Sequence, residues 1–234
     1  MQSMPILILG FSGSGKSRAV KTLNPAETFL INCGKKPLPF KNSGSLYTII
    51  NSETNPSGNM ITTKNYKKIH SALDKINDEK PEINNIVIDD SHELIIDEFM
   101  QKHSSIGKGT DVYQLYNSLA DHFYQLVEHA KDLRDGLFIY FLHHAEQTEN
   151  GRIQTKTIGR LLNEKIEIPS KFTIVLYAVR EVDQNYFLTQ NDGMNPAKSP
   201  EDMFPSFKIE NDLQAVRDAA ILYFSGEKQN AKTQ

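Results

Sequence analysis

The sequence predicts an α/β fold: a mostly parallel central sheet flanked by helices, then a C-terminal β-hairpin and a closing helix. Three observations predict it. Short apolar runs without polar alternation, PILIL at 5–9, IVI at 86–88 and LFIYFL at 137–142, have the pattern of strands buried on both faces. Between them lie stretches with apolar residues three and four apart, the mark of helices. Strands and helices alternate through residue 145, which favours parallel strands joined by right-handed crossovers.

The elements follow in order. After the first strand at 5–9 comes a glycine-rich turn, then a helix over 15–23 that Asn24-Pro25 ends. TFLI at 28–31 is a second strand. Residues 33–45 are loop, since Pro37 and Pro39 exclude regular pairing. A further strand, at an edge of the sheet, is expected at 46–50, followed by polar turns at 51–59. Tyr66, Ile69, Leu73 and Ile76 place a helix over 63–77. The strand at 86–88 ends in Asp89-Asp90, and helices follow at 91–102 and 112–132, with a mobile stretch expected at 103–110. The strand at 137–142 ends at His143-His144. A short helix is expected at 158–165, strands at 172–178 and 184–189 form the hairpin, 191–205 is a long loop, and 213–224 is the closing helix. Residues 1–225 are expected to form one domain and 226–234 a polar, frayed tail.

Composition narrows the class. A chain of 234 residues is long enough for one sizeable core. Its 38% hydrophobic and 24% charged residues exclude wholesale disorder. A net charge of -3 provides no global positive field, so contact with nucleic acid requires a local basic patch. The single cysteine, Cys33, cannot make an internal disulfide, which suits a reducing compartment. The apolar run at 4–9 is too short for a signal sequence and has no basic flank, and no run approaches the ~18 residues needed to span a bilayer. These features predict a soluble cytoplasmic protein without a membrane partner.

The turn GFSGSGKS at 10–17 fits G-x-x-x-x-G-K-[ST] at each fixed position, with a buried strand before it and a helix after it. Glycines allow the backbone to wrap tightly with its amides pointing inward at phosphate oxygens. The positive end of the following helix would add to that field. The candidate phosphate-binding residues are Gly10, Ser12, Gly13, Ser14, Gly15, Lys16, Ser17 and Arg18. In this pattern Lys16 reaches the β- and γ-phosphates and the Ser17 hydroxyl binds Mg²⁺. The ligand implied is a nucleoside triphosphate with Mg²⁺, and a P-loop NTPase fold is the corresponding architecture.

Such a site needs a second anchor for the metal, an apolar strand ending in aspartate beside the loop. Ile86-Val87-Ile88-Asp89 fits, which makes Asp89 the metal-side carboxylate alongside Ser17. Asp90 either polarises the attacking water or sits at a helix start. Adjacent side chains on an extended strand point opposite ways, so Asp89 and Asp90 are not both expected to face the metal. Glu53 is a rival catalytic carboxylate. Glu93, in the first turn of a helix, is a weaker one. At the next strand end His143, His144 or Gln147 would lie near the γ-phosphate as a sensor. A metal site at these histidines is not expected, because no second His/Cys/Asp cluster with ligand spacing accompanies them. Arg152, Lys156, Arg160, Arg180 and Lys198 are candidates for a cation lent to a neighbouring subunit. Lys35, Lys36 and Lys41 beside Phe40, and Lys64, Lys67 and Lys68, form loop patches of a kind suited to single strands, although a solvated loop explains them as well.

On GFSGSGKS at 10–17, IVIDD at 86–90 and the strand ending in His143-His144, the chain resembles the single-domain RecA-like ATP-binding proteins of bacteriophages, often labelled AAA-family ATPases. FTIVLYAV at 172–179, YFLTQNDG at 186–193, KSPEDMF at 198–204 and IENDLQAV at 209–216 carry the more specific part of the likeness. The resemblance implies a RecA-like core, ATP with Mg²⁺, and work on single-stranded DNA in recombination or annealing by a homo-oligomer, ring or filament. It carries over Lys16, Ser17 and Asp89, and suggests His143 or His144 as sensor. Many relatives have an acidic residue after the second strand, where this chain reads Ile31-Asn32-Cys33-Gly34. That departure leaves open a nucleotide-dependent switch with little hydrolysis. A nucleotide or small-molecule kinase is a further alternative, with 151–160 as its only lid-like stretch.

Overall fold

The computed structural model describes residues 2–105, 110–163 and 165–226. Among the described residues nine strands form one sheet: β1 (Met4–Gly10), β2 (Thr28–Asn32), β3 (Met60–Thr62), β4 (Asn85–Asp89), β5 (Phe138–Gln147), β6 (Ile153–Thr155), β7 (Ile174–Glu181), β8 (Gln184–Leu188) and β9 (Lys208–Glu210). Their order is β3-β2-β4-β5-β1-β7-β8-β9, with β6 paired to the end of β5. The six strands from β3 to β7 run parallel, while β8, β9 and β6 add antiparallel pairs. This is the mixed α/β architecture, with a mostly parallel sheet, that the apolar runs predict.

The helices are α1 (Ser43–Leu46), α2 (Tyr66–Glu79), α3 (His92–Lys102), α4 (Thr110–Lys131), α5 (Arg160–Asn163) and α6 (Leu213–Ser225). Period-two alternation divides the strand residues between two cores. Leu7, Ile31, Ile88, Ile139 and Phe141 face α2, α3 and α4, which contribute Ile69, Leu73, Leu94, Leu119 and Phe123. Ile6, Ile8, Leu30, Val87, Tyr140 and Leu142 face the other way, onto Val20 and the Leu213, Val216 and Ala220 stripe of α6. Burial on both faces is why these strands lack polar alternation. Asn65 caps α2 by accepting from the Lys68 amide, Asp212 caps α6 by accepting from the Ala215 amide, and Gly226 ends α6 at φ 72°. Among the described residues, no helix is long and apolar enough to cross a membrane.

Several expectations need correction. The helix expected at 15–23 is a six-residue 3-10 turn, Ser17–Thr22, because Leu23 is already extended ahead of Pro25. No strand forms at 46–50. Tyr47 turns into the core, its hydroxyl donating to the Val20 carbonyl, and only Ile49 bridges Met60. The edge strand is instead β3. Strand β5 does not stop at Leu142 but continues to Gln147, since β6 supplies partners for its last residues. Residues 106–109 of the stretch expected to be mobile, and 227–234 of the expected tail, lie outside the described residues; 103–105 form a 3-10 turn.

Candidate functional site

A cleft of about 400 Å³ opens over the C-terminal ends of β1, β4 and β5, with the β7–β8 hairpin as one wall. Open parallel sheets place their ligand sites at this edge. Ser12, Gly13, Gly15, Lys16, Ser17, Arg18, Asp89, Asp90 and His144 line it, joined by Lys36, Arg180 and Asn185.

The 10–17 turn is shaped by close approaches. A Cβ on Gly10 would stand 2.4 Å from Ser14 Oγ and 2.8 Å from the Ala178 carbonyl oxygen. Gly15 holds φ +100°, and a Cβ there would meet Asn185 Nδ2 at 2.7 Å. Lys16 lies across the turn, its Nζ donating to the carbonyls of Gly10 at 2.8 Å and Phe11 at 2.9 Å. Burial lowers its pKa to about 8, against the pull of Asp90 and Asp89. Ser14 Oγ is buried without a partner, a polar atom left free at the turn.

Ser17 Oγ donates to Asp89 Oδ1 at 2.6 Å. Strand β5 lies between β1 and β4, so the aspartate's strand is one place removed from the loop's own strand; the contact is made over the end of β5. Burial, reinforced by the Asp90 charge, raises the Asp89 carboxyl to about 6, while the Ser17 hydrogen bond and Lys16 oppose the rise. A hydroxyl and a carboxylate meeting in this way are the oxygen donors that suit Mg²⁺, and the free Ser14 hydroxyl and inward lysine suit phosphate. The residues present fit a Mg²⁺–nucleoside triphosphate.

Asp90 overturns the expectation that its side chain points away from Asp89. It lies beyond the end of β4 at φ +56°, a left-handed conformation that breaks strand alternation. Both carboxylates therefore line the cleft. His144 Nε2 donates to Asp90 Oδ1 at 3.2 Å, and Lys36 Nζ lies 3.6 Å from Oδ2. A Cβ on Gly34 would stand 2.2 Å from that same Oδ2, so the missing side chain after β2 is the space the Asp90 carboxylate fills. Burial works to raise the Asp90 pKa, but the His144 hydrogen bond, helped by the positive charge of Lys36, outweighs it and holds the group ionised. His92 is kept neutral, first by burial and then by His144.

His143 is not in the cleft. It is fully buried, its Nε2 donating to the Lys156 carbonyl at 3.0 Å and its Nδ1 lying 3.0 Å from Ser91 Oγ. Burial, then His92, lowers its pKa to about 3. The strand is still extended here, so successive side chains alternate and His144 alone faces the cleft. Glu53 is also absent from the cleft: it is exposed in the turn at 51–55, its amide donating to Asn51 Oδ1. Glu93 pairs with Lys64 at 2.7 Å. Gln147 is bound to the Gly151 carbonyl.

Sequence reasoning missed several neighbours. Asn185 Nδ2 donates to the Ser14 carbonyl at 2.9 Å and braces the glycine turn. Only the pairing of β7 with β1 brings the hairpin there. Arg180, one of five candidates for a cation lent to a neighbouring subunit, lines the chain's own cleft. Lys36, from a lysine patch for which single-stranded nucleic acid and plain solvent exposure are both open, faces the cleft instead. His92, which the sequence did not single out, joins Asp90 and His144 in a cluster whose donor atoms all lie within 4.8 Å of one another, against the expectation of no metal-type grouping.

Fold, glycine turn and the paired Ser17 and Asp89 are those of P-loop nucleotide-binding proteins. More narrowly, a family described as "AAA domain" matches residues 2–200, and the chain belongs to it. No curated protein matches the sequence.

Proposed function

We propose that this chain is a Mg²⁺-dependent ATPase with a RecA-like core spanning residues 1–225, acting in the cytoplasm on single-stranded DNA as a homo-oligomer. The observation that carries the catalytic part is the Ser17–Asp89 contact of 2.6 Å with a second carboxylate, Asp90, turned into the same cleft. Ser17 and Asp89 would hold Mg²⁺, which supplies charge neutralisation to the phosphates. Lys16 and the amides of 13–17 would bind the β- and γ-phosphates. Asp90, ionised and hydrogen-bonded to His144, is the group suited to accept the proton of the attacking water. His144 then reports the state of that carboxylate to the β5–β6 end of the sheet. Asp90 over Gly34 answers the missing carboxylate after β2, and favours hydrolysis over a passive switch. Arg180 in the chain's own cleft, rather than an arginine-rich lid, favours an ATPase over a kinase.

The DNA-linked, oligomeric part rests on the family likeness and on Lys35, Lys41, Lys67 and Lys68, since Lys36 faces the cleft and Lys64 is paired with Glu93. The test is ATP turnover with and without single-stranded DNA at low salt, alongside a mass measurement with an ATP analogue. DNA-stimulated turnover abolished by Lys16→Ala, with assembly on nucleotide, is expected. Turnover that Lys16→Ala leaves intact would refute the catalytic assignment, and turnover indifferent to DNA would remove the DNA-linked part.

A further inference from the structure

Beside the Ser17–Asp89 pair lies a second grouping with different chemistry. Asp90, His92 and His144 each offer one donor atom, and these atoms all lie within 4.8 Å of one another. Two imidazoles with one carboxylate make a mixed nitrogen–oxygen set that suits a borderline cation, unlike the all-oxygen set that suits Mg²⁺. They come from both sides of one turn: Asp90 and His92 flank Ser91 at the start of α3, and His144 reaches in from β5. The imidazoles of His92 and His144 are in contact, with ring centroids 4.1 Å apart.

An independent observation points to a ligand. His92 is 5% exposed, and its Nδ1 is buried with no hydrogen-bond partner. Its Nε2 lies 3.4 Å from Glu93 Oε1. A carboxylate beside one ring nitrogen is the usual arrangement that fixes a metal-binding imidazole with the other nitrogen's lone pair available. A buried lone pair left unmet is destabilising, and a bound cation would satisfy it.

We propose that Asp90, His92 and His144 form a binding site for a borderline divalent cation such as Zn²⁺ or Co²⁺, separate from the Mg²⁺ position at Ser17 and Asp89. With bonds of about 2.0–2.2 Å, tetrahedral donors stand roughly 3.3–3.6 Å apart, so the three side chains close on the ion by about an ångström through χ rotation. The cleft leaves the remaining positions open to water or a phosphate oxygen. Occupancy and use of Asp90 as a base exclude each other. That consequence rests on the function proposed above, whereas the metal site itself does not.

Titration of the nucleotide-free, full-length protein with Co²⁺, followed by visible absorption and reversed with Zn²⁺, tests the site. One Co²⁺ per chain in a low-coordinate environment is expected. His92→Asn or His144→Asn should weaken it more than about tenfold, while Ser17→Ala leaves it unchanged. No binding, binding indifferent to His92→Asn, or binding lost in Ser17→Ala overturns the proposal. Should a histidine variant fail to fold, X-ray absorption at the zinc edge of the wild-type complex decides: two imidazoles in the first shell support it, and fewer overturn it. ATP turnover separates the two ideas. Zn²⁺ should inhibit the wild type and not His92→Asn. Full turnover of the Zn²⁺-loaded wild type would remove Asp90 as the base and leave the metal site standing. Failure to bind Zn²⁺ would remove the metal site and leave Asp90's proposed role untouched.

Discussion

The ends of β4 and β5 lie side by side, and each carries a pair of identical residues: Asp89-Asp90 on one, His143-His144 on the other. At β4 the strand stops at Asp89 and the backbone flips to φ +56° at Asp90, so both carboxylates enter one cleft. At β5 the strand stays extended through Gln147, held by β6, so alternation persists and the histidines part company. His143 enters the core and His144 the cleft. The same doubled residue thus yields two site groups where extension ends and one where it continues. What separates them is a single dihedral at the end of the strand, together with the presence or absence of a pairing partner beyond it.

The largest expected effect tests the β4 end. Asp90→Asn should lower ATP turnover by about 10²–10⁴-fold and leave nucleotide affinity nearly unchanged, as read by steady-state kinetics and equilibrium binding. A rate within a factor of ten of wild type would make Asp90 a structural turn residue only. At the β5 end the loss should fall on stability. His143→Ala removes a buried ring with two polar contacts and should cost about 2–4 kcal/mol in denaturant unfolding, whereas the cleft-facing His144→Ala should cost under about 1 kcal/mol. Equal costs would erase the contrast.

Gly34→Ala sharpens the comparison while leaving both pairs unchanged in sequence. Its new Cβ would displace the Asp90 carboxylate, with turnover falling roughly tenfold and little change in melting temperature. Smallest are the pH effects. Affinity of the free protein for Mg²⁺–nucleotide should peak between about 6 and about 8, falling below as Asp89 takes up a proton and above as Lys16 loses one. Asp89→Asn should remove the acid limb. For stability, the folded His143 stays unprotonated down to about 3, while the unfolded chain binds that proton near the ordinary 6.5. The unfolded state then holds more protons between those values. Stability is full above 6.5 and declines by up to about 1.4 kcal/mol per pH unit as pH falls through that window. His143→Ala should show a shallower acid decline.

Much of this molecule can be read along the chain. The buried strands at 5–9, 28–31, 86–88 and 137–142, the helices at 66–79 and 213–225, and the 172–189 hairpin are encoded in local apolar periodicity, which depends only on near neighbours. The glycine turn, Lys16 and Ser17 are legible for the same reason, since their spacing is a property of one short loop. Less legible were β3, β6 and β9, each of three residues, because such short strands exist only through partners distant in sequence.

The sequence by itself thus determined the α/β class, the phosphate-type loop and the aspartate that meets it, all of which follow from contiguous patterns of residues. Tertiary structure alone decided which aspartate and which histidine face the cleft, that Gly34 makes room for Asp90, that Asn185 braces the turn from a strand 171 residues after Ser14, and that His92 joins Asp90 and His144. The physical reason is that side-chain direction at a strand end depends on where pairing stops. Pairing is a contact between distant segments, and residue type alone does not specify it.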